Sequence, residues 1–419
     1  MLIIANTLVF NGGTTFILRF SREYSRRGVR VGVLVLAKEA EPKILEELKR
    51  YADVYFLNDY IKLFYRFFGK GPLSSFLPLD FEALEKIFSR HKNIAHAMGG
   101  FGLLFLARFV GVTGAKIKCS VGVYHQNEFM FSGVNYLFAK KIQELFLSLG
   151  PKGVIFLNES SKKSYSNFFN VDYSDSTLVP VGIDLPKVES AAYGSAKSRK
   201  IVSVGNLVNF KTYNRHIINL MPKLLAIDGE FTYEIYGVGP EAHELIRLAE
   251  ERGVSNFVKF NGSVPYSDFK KSLANAFLFV GSGTAVVEAA ASGVPALIGI
   301  ESTADPVTYG FLSDVEGFSY NEMEYCKRKY FIFDKITYLL SYSDTWETVA
   351  SECLLKSKEF SISYTVDGFD RALNLMPVLC VKDFRNFLNF FSLMQCAFFE
   401  KIFGKKIFSD RRNQGTLIK

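Results

Sequence analysis

VGSGTAVVEAAASGVPAL, residues 280–297, is the stretch whose reading decides the fold. An apolar run, Phe277 to Val280, enters Gly281-Ser282-Gly283-Thr284. A small-residue segment with the single acid Glu288 follows, then Gly293 and a second apolar run. Two apolar strands joined through one short helix must run parallel, because an antiparallel pair needs only a hairpin. Gly281 and Gly283 allow a sharp turn, and the amides of Thr284 and Ala285 open the helix toward whatever lies off the strand end. Glu288 lies one turn into the helix. A carboxylate there cannot favourably meet a phosphate, but it can accept hydrogen bonds from sugar hydroxyls or complement the helix dipole. Eight positions upstream stands an apolar residue, Val280.

The same alternation extends outward in both directions. Strands are expected at 201–204, 231–237, 256–260, 277–280 and 294–300, with helices at 213–226, 240–252, 267–274 and 284–291 between them. In the N-terminal half, residues 1–10 read as a strand, Thr14 to Arg27 as a helix stopped by Gly28, Val29 to Leu36 as a strand and Pro42 to Tyr51 as a helix. Further strands are expected near 53–57, 93–97, 119–124 and 153–157. The small, polar, basic stretch 189–200 (ESAAYGSAKSRK) reads as a linker. The expectation is an α/β protein: two Rossmann-like doubly wound domains facing across a cleft, over 1–188 and 201–345, and a basic amphipathic helical tail over 376–419. A helical segment, 346–375, stands between them and is a candidate for crossing back to the first domain.

Composition narrows the function classes. A chain of 419 residues is too long for one ordinary core. With 48% hydrophobic and 22% charged residues it is a folded rather than a disordered protein. The formal charge is +8, and from residue 376 on eight basic side chains face three acidic ones. A near-neutral body with a basic tail argues against a nucleic-acid surface across the main fold. The five cysteines are an odd number, widely spaced and without a Cys-x-x-Cys pair, which suits a reducing cytoplasm and excludes a disulfide framework. MLIIANTLVF reads as a first strand rather than a signal peptide, and no run approaches the roughly 20 apolar residues of a membrane span.

Ligands in open α/β sheets lie off the carboxyl ends of strands, so the loops there carry the candidates. Asn11-Gly12-Gly13 precedes a helix start, a tight turn or a place for a ligand to approach the backbone. His96 and His125 both follow apolar strands. His125 is the stronger of the two because Gln126, Asn127 and Glu128 make a polar cluster after it. In VGNLVNFK, Gly205 leaves a strand and Lys211 enters a helix, where its charge suits a diphosphate. Gly237 and Gly239 in YGVGPE offer bare backbone for a base or ribose, and Val264 in NGSVP offers main-chain groups for a base edge.

Each element is weak alone, but their order is specific. The glycine loop after strand 1, His125, VPVGID (179–184), VGNLVNFK (204–211), YGVGPE (236–241), FNGSVP (260–265) and GSGTAVVEAAASGVP (281–295) follow one another at sensible distances. Over roughly residues 1–375 this resembles the GT-B glycosyltransferases of the family 4 type, retaining and dependent on nucleotide sugars. The resemblance implies that Gly12 and Gly13 approach the donor phosphates or the acceptor, and that His125 hydrogen-bonds the transferred sugar. It implies Lys211 on the diphosphate, Glu288 on the ribose, and the amides of Thr284 and Ala285 on phosphate. His125 and Glu288 are the implied catalytic pair. Gly205, Asn206, Gly237, Gly239, Val264, Ser282 and Gly283 complete the implied donor site. Two positions depart from the pattern: Asn206 replaces the usual arginine, and Val280 replaces the first glutamate of a pair whose second member is Glu288. Ser282 is a candidate to take over part of that acid's role.

The implied reaction transfers a sugar from a nucleotide-sugar donor to a saccharide acceptor. It needs no cofactor and no metal, in keeping with the absence of any Asp-x-Asp pair. Mixed basic and aromatic stretches at 60–79 and 138–147, and Phe384, Phe387, Phe391, Phe398 and Ile402 in the tail, point to an anionic membrane surface. The expected setting is cytoplasmic and peripheral on the inner face of the cell membrane. A lipid-linked saccharide for bacterial surface polysaccharide (lipopolysaccharide or capsule) is the expected acceptor. The rival readings are a nucleotide-sugar epimerase on the same fold and a catalytically degenerate membrane-associated scaffold.

Overall fold

The computed structural model describes all residues except 10, 69–70, 186–192, 266–267, 322–323, 325–326, 382, 405–407 and 409–419. Cys326 and the basic residues of the tail from Lys405 on lie outside the described residues. The chain divides into two units, Met1–Gly182 with Ile362–Gln414, and Ile183–Ser361.

The first unit begins β1 (Leu2–Ala5), α1 (Gly12–Arg26), β2 (Val31–Val35), α2 (Pro42–Tyr51), β3 (Ala52–Phe56) and α3 (Phe81–Arg90). It continues β4 (Ile94–Ala97), α4 (Gly100–Thr113), β5 (Lys118–Val123), α5 (Leu137–Ser148), β6 (Val154–Phe156), α6 (Glu159–Phe169) and β7 (Thr177–Leu178). The seven strands form one parallel sheet in the order β3-β2-β1-β4-β5-β6-β7. Helix α4 is apolar on nearly all sides and buries Leu103 to Phe109, which places it inside the unit rather than on its surface. Strand β1 stops at Ala5, short of the expected residue 10. Beyond it Leu8 serves a loop: its amide donates to the Glu39 carbonyl at 2.9 Å and its side chain is buried.

The second unit runs β8 (Lys200–Val204), α7 (Tyr213–Ile227), β9 (Thr232–Tyr236), α8 (Ala242–Glu251), β10 (Val258–Phe260), α9 (Phe269–Ser272), β11 (Ala276–Gly281), α10 (Thr284–Ala290) and β12 (Ala296–Ile298). Its parallel sheet has the order β10-β9-β8-β11-β12. A small antiparallel pair, β13 (Val307–Thr308) and β14 (Tyr330–Phe331), with α11 (Ile332–Tyr338) and α12 (Thr345–Ser357), completes it. The described part of the expected linker is not a free connector. Tyr193 donates its amide to Ser292, Ser195 to Ala276, and Arg199 pairs with Asp228 at 2.7 Å.

Two helices return to the first unit. α13 (Ile362–Leu375) lies on α1, where Tyr24 donates to Asp370 and Arg27 to Asp367, both at 2.6 Å. α14 (Asn386–Phe403) packs on α5 through Asn389, Ser392, Leu393 and Cys396. Ser392 Oγ accepts the Leu137 amide at 2.8 Å. Its outward side is aromatic: Phe387, Phe391, Phe398 and Phe403 are each more than half exposed. Among the described residues no helix is long and apolar enough to cross a membrane.

Candidate functional site

In the second sheet the strand order reverses between β8 and β11, and a crevice forms at the carboxyl ends of such a pair. The chain leaves β8 at Gly205. A side chain on Gly205 would come within 3.0 Å of Lys211 Nζ, so the ammonium group lies over bare backbone. Lys211 reaches that place because its loop is pinned on both sides: its amide donates to the Val208 carbonyl, and the Phe210 carbonyl accepts the Ser302 amide at 2.7 Å. Asn206, at the place of the expected arginine, is exposed.

From β11 the chain turns through Ser282 and Gly283 into α10. Gly283 has φ +67, a conformation that favours glycine. The Gly283 amide donates to Asn321 Oδ1 at 2.9 Å, and the Tyr320 hydroxyl donates to the Gly283 carbonyl at 3.2 Å. The next amides, those of Thr284 and Ala285, belong to the first turn, where a helix supplies no internal acceptor. Glu288 is half-buried within the same helix. Val280 is fully buried in β11 and belongs to the core of the second unit.

Sequence reading missed one group here. Glu301, on the loop after β12, is half-buried, and its Oε1 accepts a hydrogen bond from Ser282 Oγ at 2.8 Å. Its amide donates to the Asn321 carbonyl at 3.1 Å, which ties it to the same loop that holds Gly283. Burial raises the Glu301 carboxyl above the ordinary carboxylate range, while the Lys211 charge and the Ser282 hydrogen bond pull it back. A signal was available: Glu301 is the first charged residue beyond the buried strand β12.

Gly237 and Gly239 have a packing reason to be glycine. A side chain on Gly237 would lie 1.9 Å from the Gly205 carbonyl oxygen, and one on Gly239 would lie 2.1 Å from that of Leu207. The loops after β8 and β9 are laced by Gly205 N–H to Tyr236 O and Leu207 N–H to Val238 O. Loop packing therefore requires glycine at both positions, apart from any contact with a base or ribose. Val264 is half-buried in the loop after β10.

In the first unit, Gly12 and Gly13 open α1, whose N-cap Asn11 accepts the Thr14 amide at 3.0 Å. The side-chain position of Gly12 faces open space. His125 follows β5 and is half-buried; the Asn127 amide donates to its Nδ1 at 3.4 Å, and its carbonyl accepts the Glu128 amide. Glu128 is buried, and its Oε1 accepts the Gly100 amide at 3.3 Å at the start of α4. His96, the weaker histidine candidate, is a core residue. It is 1% exposed, held between Ser120 Oγ and Tyr124 Oη at 2.9 Å each, and burial pushes its pKa down to about 3. Gly205, Lys211, Ser282, Gly283, Thr284 and Ala285 thus gather at one switch point in the second unit, whereas Gly12, Gly13 and His125 stand at strand ends of the first.

Residues 188–303 match the family model described as "Glycosyl transferases group 1". No curated protein matches the chain in sequence. Among solved structures, the chain is similar to HepE of Anabaena in complex with UDP (16% identity, 89% of this chain and 99% of that chain, TM-score 0.62). It is likewise similar to a TarM mutant of S. aureus in complex with fondaparinux, alpha-GlcNAc-glycerol and UDP (13%, 89% and 99%, TM-score 0.62). The lipopolysaccharide outer core galactosyltransferase WaaB also matches (12%, 89% and 99%, TM-score 0.55). Two parallel-sheet Rossmann-like units give the chain the GT-B architecture of these structures, and the segment that matches the group 1 model spans the switch point of the second unit.

Proposed function

We propose that the protein transfers a sugar from a nucleotide-sugar donor to a saccharide acceptor, as a retaining, metal-independent enzyme of the family 4 type. The observation that carries this reading is the coincidence of the group 1 match with the cluster at the ends of β8 and β11. In this reading Lys211 and the amides of Thr284 and Ala285 hold the diphosphate and stabilise it as it leaves. Stabilisation of a departing phosphate by fixed charge and dipoles is the largest single contribution expected. Glu288 accepts hydrogen bonds from ribose hydroxyls, and His125 hydrogen-bonds the transferred sugar. The departing phosphate takes the acceptor's proton while the acceptor oxygen forms the new bond to the anomeric carbon on the same face. The structures similar to this chain include proteins solved with UDP and with UDP and glucose, which supports a nucleotide-sugar donor.

A lipid-linked acceptor for surface polysaccharide, met at the anionic inner face of the cell membrane, fits α14. That helix docks through Asn389, Ser392, Leu393 and Cys396, with Phe390 partly buried, and leaves Phe387, Phe391, Phe398 and Phe403 on an exposed aromatic side. Flotation with anionic liposomes checks it: full-length protein should float, and protein ending before Asn386 should stay at the bottom. A thermal-shift panel of UDP, GDP, ADP and CMP sugars tests the donor half, since a bound nucleotide must raise stability by mass action. No shift with any member would rule the transferase reading out.

A further inference from the structure

We propose that Glu301 reads the hydroxyls of the transferred sugar, supplying from the loop after β12 the carboxylate that position 280 lacks. The inference rests on the nucleotide-sugar reading of the second unit.

A glutamate at 280 would have to leave β11 from a position buried in the core, and Val280 fills that place with an apolar side chain instead. Glu301 reaches the strand ends by another route. Ser282, two residues beyond Val280, donates to one of its oxygens at 2.8 Å, and the Asn321 backbone fixes its own amide. Among the described residues the second carboxylate oxygen has no hydrogen-bond partner. The group is close enough to Lys211 for that charge to act on it.

A carboxylate beside the proposed diphosphate lysine repels phosphate, so phosphate recognition does not account for it. A neutral hydroxyl is the donor it can accept from, and the hydroxyls nearest a diphosphate in a nucleotide sugar are those of the sugar. The alternative role is to balance the Lys211 charge and nothing more. The two roles differ in what they do to free nucleotide. A balancing charge weakens the binding of nucleotide and nucleotide sugar equally, whereas a sugar-reading carboxylate favours only the second.

Calorimetry on the full chain compares UDP with UDP-glucose, or, where the thermal-shift panel selects another donor, that donor with its own free nucleotide. Glu301→Gln should bind free nucleotide at least as tightly as the unaltered protein and cut the preference for the nucleotide sugar about ten-fold or more. Ser282→Ala, which leaves the carboxylate in place but untethered, should cut it about three-fold, and it serves if Glu301→Gln does not fold. An unchanged preference in the folded variants, or an equal tightening toward both ligands, overturns the inference while leaving the nucleotide-sugar reading intact. Failure of the unaltered protein to bind any nucleotide overturns that reading and the inference with it.

Discussion

At the switch point between β8 and β11, the strand ends present an ammonium group over bare glycine, a serine hydroxyl and a helix start. At the matching point between β1 and β4 of the first sheet, the start of α4 is taken by the chain's own carboxylate, Glu128. Both sheets reverse order at their first and fourth strands, so topology provides a crevice twice. The residues decide what each crevice can hold. Glu128 already satisfies an amide that an anion would otherwise meet, and His96 nearby is locked between Ser120 and Tyr124. Lys211 and the Ser282–Glu301 pair leave charge and hydrogen-bonding capacity directed at the strand ends. Topology does not distinguish the two crevices; their side-chain chemistry does.

The largest expected effect tests the active half of this contrast. Lys211→Ala should abolish the nucleotide-induced thermal shift and lower kcat/KM by roughly 10²–10³-fold, in line with the loss of one preorganised charge at a leaving group. An undiminished shift would show that the phosphate lies elsewhere.

A second substitution separates packing from binding. Gly239→Val places a side chain against the Leu207 carbonyl and should destabilise the second unit by about 3 kcal/mol. Trp346, the one tryptophan of the chain, is buried in that unit and donates to the Phe277 carbonyl at 2.7 Å. Its fluorescence in a urea titration therefore follows the second unit. A midpoint equal to that of the unaltered protein would mean that the two loops are not held together as described.

Most of the parallel strands were legible as short, mainly apolar runs bounded by turns, as in Val31–Val35 and Ala276–Gly281, whereas the two-residue β7 was not expected. The positions of Gly205 and Gly283 were legible for the same reason, since they lie within two residues of such runs, and Lys211 was placed by the helix entrance that follows. Strand-end reasoning failed where tertiary contacts decide the outcome. His96 was the weaker strand-end candidate; it lies within β4, and its partners Ser120 and Tyr124 come from the neighbouring strand and the residues just past it. Gly237 and Gly239 are glycines because of a loop 30 or so residues earlier in the chain. Glu301 meets Ser282 across 19 positions, which no local pattern announces. The aromatic spacing of α14 was visible, but which side it buries depends on α5 and could not be read.

The smallest expected effect tests the quiet switch point. The folded protein keeps His96 neutral down to about pH 3, and His91, in the same unit, down to about pH 4, because burial disfavours the charged ring. The unfolded chain takes up a proton at each near pH 6.5. Below pH 6.5 the unfolded state therefore binds more protons, and the stability these rings confer is lost as pH falls toward their folded values. Between pH 7.5 and pH 5 the loss from His96 is on the order of 2 kcal/mol. His96→Gln cannot titrate, so whatever it costs at neutral pH, its stability should fall less over that interval, by about that amount. His91 still contributes its share in the variant, and burial also holds His216 of the second unit below its ordinary value. The difference between variant and unaltered protein is thus the quantity to measure, by circular dichroism in urea at the two pH values. Equal acid sensitivity in both would mean that His96 is protonated in the folded state. The crevice beside β4 would then be open to water and to ligands, and the contrast between the two switch points would be lost.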